Sequence, residues 1–163
     1  GIIATGIKKG VATQDSIEDA INSMSSLNKD SAQELREYHV NAVTDVTGFG
    51  LLGHLKEVCE NSNVSSKINF QDLLFLDGAK ELAMSGVVPG GTKRNLKSVE
   101  KVVSFSDHLS ETEQLLSADA QTSGGLLISM PMKDAKSYVK KVNNRTAIIG
   151  QITDKKPYLI KVH

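Results

Sequence analysis

Thr44-Asp45-Val46-Thr47-Gly48-Phe49-Gly50-Leu51-Leu52-Gly53-His54 sets a carboxylate where a short apolar run gives way to a glycine-punctuated helix. Upstream, Val40, Ala42 and Val43 read as the end of a strand. Downstream, Leu51, Leu52, Leu55, Val58 and Cys59 fall at i, i+1, i+4, i+7 and i+8, which is one face of a helix. Thr47 stands where its hydroxyl can cap the first free amides of that helix. Gly48, Gly50 and Gly53 each cost about 1 kcal/mol relative to alanine inside a helix. Three so close together require a close backbone approach or tight packing against a neighbour. An acidic side chain beside exposed amides suits a cation carried by phosphates, with the carboxylate on the metal. The residues themselves leave Asp45 open between that role and a helix-capping carboxylate.

Length and composition bound the rest. A chain of 163 residues fits one domain and is long enough to bury most of the surface its unfolded form exposes. Lys plus Arg equals Asp plus Glu, 19 of each, so no global field draws nucleic acid or an acidic membrane. The single cysteine, Cys59, excludes an internal disulfide, and its place on the apolar face reads as a buried structural thiol rather than a nucleophile. No run approaches the roughly 20 apolar residues of a membrane span, and the N-terminus has no signal-peptide pattern. A reducing, cytoplasmic setting is the resulting expectation. The chain opens on Gly1-Ile2-Ile3-Ala4, without methionine and already apolar, and reads as part of something longer.

Outward from the central stretch, residues 1–5 predict a strand and residues 13–27 a helix with Ile17, Ala20, Ile21 and Met24 on one side. Residues 28–38 predict a second helix, with Ser31 and Glu34 as its capping box. Lys67-Ile68-Asn69-Phe70 alternates as a half-buried strand after a polar turn at 61–66. Residues 73–83 are helical in part, with Gly78 as a break, and Pro89-Gly90-Gly91-Thr92 reads as a loop. Ser110 and Glu113 predict a capping-box helix ending near Ser117. Strands follow at 126–130, 147–152 and 158–162, with a helix over 133–142. About five helices and five or six strands interleave without repeats. The expected fold class is α/β (α+β), one mixed β-sheet covered by helices.

Two motifs hold most of the chemistry. Asp119-Ala120-Gln121-Thr122-Ser123-Gly124-Gly125-Leu126-Leu127 shares the grammar of the central stretch: an acid, hydroxyl residues, paired glycines, then an apolar run. Nothing in the sequence places Asp119 beside Asp45. Pro89-Gly90-Gly91-Thr92-Lys93-Arg94-Asn95 has the composition of a phosphate loop without the Walker spacing, and reads as a surface turn followed by a solvated basic face. His39, His54, His108 and His163 lack metal-ligand spacing, and His54 reads as a helix-surface residue, with a place in the same cleft as Asp45 as the alternative. No Ser-His-Asp or Cys-His arrangement is visible.

The stretch 44–54, the segment Gln121-Thr122-Ser123-Gly124-Gly125-Leu126-Leu127, and Pro89-Gly90-Gly91-Thr92 followed by Asn95 together resemble the signatures of selenophosphate synthetase (selenide, water dikinase), in family order. The likeness runs from near Gly1 to about Val162. One departure is Ala120, where the family usually carries proline. The resemblance implies a C-terminal domain over residues 1–163, similar to that of aminoimidazole ribonucleotide synthetase: a three-layer sandwich with a mixed β-sheet. It implies an ATP-dependent phosphotransferase making selenophosphate, for selenocysteine biosynthesis, from selenide, ATP and water, with AMP and phosphate as the other products. By the same resemblance, the catalytic cysteine or selenocysteine, its neighbouring lysine and most magnesium-holding aspartates belong to an absent N-terminal half. No catalytic residue is then expected in this chain, and alone it is expected to be inactive. Asp45 matches the one C-terminal aspartate that completes the Mg2+ site, with Thr47, Gly48 and Gly50 shaping the wall behind it without direct contact. Expected partners are ATP, selenide, the protein's own N-terminal domain and a second copy in a homodimer, with no nucleic acid or membrane. The alternatives are another ATP-dependent enzyme of the superfamily, such as thiamine-monophosphate kinase, or a non-catalytic ligand-binding or assembly domain.

Overall fold

Apolar residues at helical spacing on one side of the central helix, and at alternate positions in short strands, meet in a single hydrophobic cluster. The computed structural model describes residues 1–142 and 145–163. Helices α1 (Ile2–Lys8), α2 (Gln14–Ser25) and α3 (Lys29–Glu34) precede strand β1 (Ala42–Asp45) and helix α4 (Gly50–Asn61). Then come β2 (Ser65–Ile68), α5 (Ala79–Met84), α6 (Gly90–Val99), β3 (Val103–Phe105) and α7 (Glu111–Ser117). The chain continues through β4 (Leu126–Ser129), α8 (Met132–Val142), β5 (Gly150–Thr153) and β6 (Ile160–Val162). Leu52, Leu55 and Cys59 of α4 join Ile68, Val99, Ile160 and Val162 in the core, each such side chain contributing about 1.5–3 kcal/mol by burial.

The α/β class and the mixed sheet are as expected, but the strands form two sheets. A four-stranded mixed sheet runs in the order β3-β6-β2-β5, with β6 parallel to both β3 and β2 and β5 antiparallel to β2. β1 and β4 form a separate antiparallel pair that puts Asp45 opposite Leu126 and Thr44 opposite Leu127. The two glycine-bearing motifs, some eighty residues apart, are therefore neighbours through main-chain pairing. α4 packs against β1 and β6 and against α6, and so links the two sheets.

Several local expectations give way to tertiary contacts. Residues 2–8 are a helix rather than a strand, because the Asp119 carboxylate accepts from the nitrogens of Gly1 and Ile2 and caps it from the far end of the chain. The segment 28–38 is a short helix and a 3-10 turn, with no side-chain cap. Ser31 lies inside it and offers its carbonyl to the Tyr138 hydroxyl, while Asn28 donates to the Gly124 carbonyl. The third strand expected at 67–70 lies two residues earlier, because Ser65 and Ser66 are buried and Phe70 fills the core from a 3-10 turn. The Ser65 hydroxyl donates to the Tyr158 carbonyl and accepts from the Lys156 amide, which is what tolerates a buried serine there. Pro89-Gly90-Gly91-Thr92 is the first turn of α6, not a loop: Pro89 is the N-cap and Thr92 is fully buried. On α2 only Ser16 and Ala20 are buried, and Ile21 remains 53% exposed. Among the described residues there are eight α-helices, more than the sequence suggested, since most extra ones are too short to show periodicity.

Ser110 and Glu113 do form the capping box expected of them. The Glu113 amide donates to the Ser110 hydroxyl, and the Glu113 carboxylate accepts from the Ser110 amide at 2.8 Å. The Ser110 hydroxyl also donates to that carboxylate at 2.8 Å, and the two bonds the carboxylate accepts, the hydroxyl's first, hold the Glu113 carboxyl below its ordinary 4.5. A depressed folded-state pKa stabilises the fold above the unfolded value and stops doing so as pH falls through the folded one. Ser110→Ala is expected to cost about 1 kcal/mol in denaturant unfolding at neutral pH. The Glu113→Ala penalty is expected to be full above about pH 4.5 and to shrink with acidification below it.

Candidate functional site

Strand alternation decides which way the β1 side chains point. Ala42 and Thr44 turn toward α4 and, with His54, Glu57, Val58 and others, line a depression of about 300 Å3. Val43 and Asp45 take the opposite, exposed side. Asp45 therefore stands at the C-terminal end of its strand, open to solvent. Among the described residues its carboxylate has no hydrogen-bond or ion-pair partner, so it does not cap α4. Leu126 and Ile128 of β4 lie across from Asp45 and Val43 and share their face.

Beyond Asp45 the chain turns over residues 46–49 into α4. Thr47 does not cap the helix. Its hydroxyl lies 3.1 Å from His54 Nε2, and the helix begins at Gly50 without a side-chain cap. His54, expected on the helix surface, is buried by this contact, with Nδ1 3.5 Å from Glu57. It faces the α4 side of the strand and not the Asp45 side. Gly50 explains one glycine: its φ is +69°, and a Cβ would sit 2.6 Å from the Asp119 carbonyl oxygen and 2.8 Å from that of Ala118. A Cβ at Gly53 would collide with Phe49. At Gly48 the space is open.

Asp119 is brought to this neighbourhood, but its oxygens are already engaged. Oδ2 accepts from the Gly1 and Ile2 nitrogens at 3.0 Å, and Oδ1 accepts from the buried Thr92 hydroxyl at 2.5 Å. Asp119 thus ties the N-terminal turns of α1 and α6 to the segment following α7. Thr92 and Asn95, which the sequence places in a surface turn and a solvated basic face, lie three apart on one face of α6, the spacing that signals a shared contact. Asn95 donates from Nδ2 to the carbonyls of Gly48 at 2.8 Å and Ala118 at 3.2 Å. Cys59 is fully buried, as expected, and burial pushes its thiol pKa up, with the neighbouring Ser66 hydroxyl opposing in part.

Among the described residues no group of three or more His, Cys, Asp or Glu side chains is placed to hold a metal ion. One exposed, unpartnered carboxylate fits a single position in a shared metal site. It does not make a self-contained one, since hard divalent cations take several oxygen ligands. No helix of the described residues is long and apolar enough to cross a membrane.

This arrangement, a mixed α/β domain with a carboxylate at a strand end and glycine-bearing motifs paired beside it, has relatives. Residues 18–162 match the family described as AIR synthase related protein, C-terminal domain, and the chain belongs to that family. A selenide, water dikinase of Aliarcobacter butzleri is 40% identical over 156 residues, covering 93% of this chain and 45% of the relative. That of Myxococcus xanthus is 40% identical over 162 residues, covering 96% of this chain and 46% of its own. Selenide, water dikinase 2 of Peptoclostridium acidaminophilum is 35% identical over 159 residues, covering 95% and 46%. The chain spans about half the length of the curated relatives it matches. A crystal structure of thiamine monophosphate kinase from Aquifex aeolicus covers 84% of this chain and 36% of its own, with a TM-score of 0.47 and 14% identity.

Gly50→Ala is expected to lower unfolding stability by about 2 kcal/mol or more, from strain at positive φ and contact with two carbonyls, as read by denaturant titration. Cys59 is expected to resist an aromatic disulfide reagent in the folded protein and to react fully once denaturant unfolds it; fast labelling under native conditions would refute its burial.

Proposed function

We propose that this chain is the C-terminal domain of a selenide, water dikinase, within an enzyme that makes selenophosphate, AMP and phosphate from selenide, ATP and water. The observation that carries this reading is Asp45: an exposed carboxylate, free of any partner among the described residues, at a strand end pinned by the neighbouring motif. The names of relatives 35–40% identical over most of the chain support the substrate class.

In this reading Asp45 supplies one ligand to Mg2+ bound with ATP, and the remaining ligands come from an N-terminal half of the full-length protein. Magnesium there neutralises polyphosphate charge. This chain's part is to hold one carboxylate at a fixed height on a rigid strand. The paired main chain of 118–125 keeps it there, and Thr47, Gly48 and Gly50 form the wall behind it without touching nucleotide. The catalytic nucleophile lies outside residues 1–163. The same reading makes the full-length enzyme a cytoplasmic homodimer acting on small molecules, and an even balance of 19 cationic and 19 acidic side chains is consistent with the absence of a nucleic-acid partner.

Asp45→Asn in the full-length protein is expected to raise the Mg2+ concentration needed for half-maximal AMP formation by about tenfold or more. Its melting temperature is expected to stay within a degree or so, because the side chain is exposed. An unchanged Mg2+ dependence would leave Asp45 structural and sink the reading.

A further inference from the structure

The Asp45 carboxylate has no partner among the described residues, so its position is inherited from its backbone. That backbone continues into the 46–48 turn, which the segment 118–125 grips by main-chain bonds. The Val46 amide donates to the Gly125 carbonyl at 2.9 Å, the Gly124 amide to the Val46 carbonyl at 3.1 Å, and the Gln121 amide to the Thr47 carbonyl at 3.1 Å. Gly48 carries no side chain with which to hold the end of this turn.

Two side chains one turn apart on α6 supply the missing hold. Asn95 Nδ2 bridges the Gly48 and Ala118 carbonyls, one from each segment. Thr92, fully buried, donates to Asp119 Oδ1 and accepts from the Ala120 amide at 3.3 Å. Asp119 in turn is anchored to the start of α1. The three stretches 44–54, 89–95 and 119–127 are therefore one hydrogen-bonded clamp with α6 as its spine. The side chains of Thr92 and Asp119 are consumed within it.

We propose that Asn95 and Thr92 are positioning residues for the Asp45 carboxylate, setting the strand end at the height a shared metal site requires. The proposal rests on the reading of Asp45 as a magnesium ligand. Metal coordination tolerates only about 0.2 Å of error, whereas loss of one partly exposed amide bond is a modest change for the fold as a whole. At Asn95 the clamp therefore acts on metal affinity more than on folding.

Mn2+ serves as the probe, titrated by electron paramagnetic resonance into the full-length protein with a non-hydrolysable ATP analogue present, well below the melting temperature. Asn95→Asp keeps the shape but removes both donors, and Thr92→Val keeps the shape but removes the hydroxyl. Each is expected to weaken Mn2+ binding about tenfold, and Thr92→Ser, which restores the hydroxyl, to bind within twofold of the parent. If Asp45→Asn weakens Mn2+ binding while Asn95→Asp and Thr92→Val bind as the parent does, the positioning role is overturned and the Asp45 site stands. If Asp45→Asn itself binds as the parent does, the Asp45 reading fails and the positioning role fails with it. Should Asn95→Asp not fold, the contrast between Thr92→Val and Thr92→Ser decides, and equal Mn2+ affinity in that pair overturns the proposal.

Discussion

The Asp119 carboxylate accepts three hydrogen bonds from groups distant in sequence: the nitrogens of Gly1 and Ile2 and the hydroxyl of Thr92. Each is part-buried, and an unmet donor in such a place costs about 1–3 kcal/mol. One side chain thus satisfies the opening of α1, anchors the first turn of α6 and fixes the segment that follows α7. Main-chain bonds to Val46 and Thr47, and the Asn28 and Asn95 side chains, hold the rest of the 118–125 segment. The pairing of β4 with β1 starts from there.

From that junction the geometry of the candidate site follows in order. The antiparallel register sets Asp45 against Leu126. Alternation along the strand then turns Thr44 toward α4 and Asp45 to the open side. Gly50 allows α4 to begin directly beneath the Ala118 and Asp119 carbonyls. The outcome is a carboxylate held by its backbone and engaged by no side chain among the described residues. A group placed in this way can serve a ligand, because no internal bond has to be broken first.

Parts of this were legible in the residues. The apolar face of α4 was readable because five side chains repeat at helical spacing, and three of them are buried. The α7 capping box was readable because Ser110 and Glu113 act within one turn and need nothing from elsewhere. Other elements were not. α1 looked like a strand because its cap is supplied by a residue 117 positions away. The turn 89–92 looked like a loop because proline and two glycines usually mean one, yet the buried Thr92 bond draws it into a helix. Thr47 suits an N-cap by type, but His54 competes for its hydroxyl and wins.

The sequence by itself determined the α/β class, the central helix and its buried face, Cys59 as a core thiol, and the choice of Asp45 as a candidate ligand. These depend on periodicity and local chemistry, which act within a few residues. Only the tertiary structure decided that β1 and β4 stand apart from the mixed sheet, that the Asp119 carboxylate anchors α1 and α6, and that Thr92 and Asn95 bond to the segments on either side of the β1–β4 pair's open end. Those outcomes depend on which distant donors and acceptors meet when the chain closes, and no local pattern encodes that meeting.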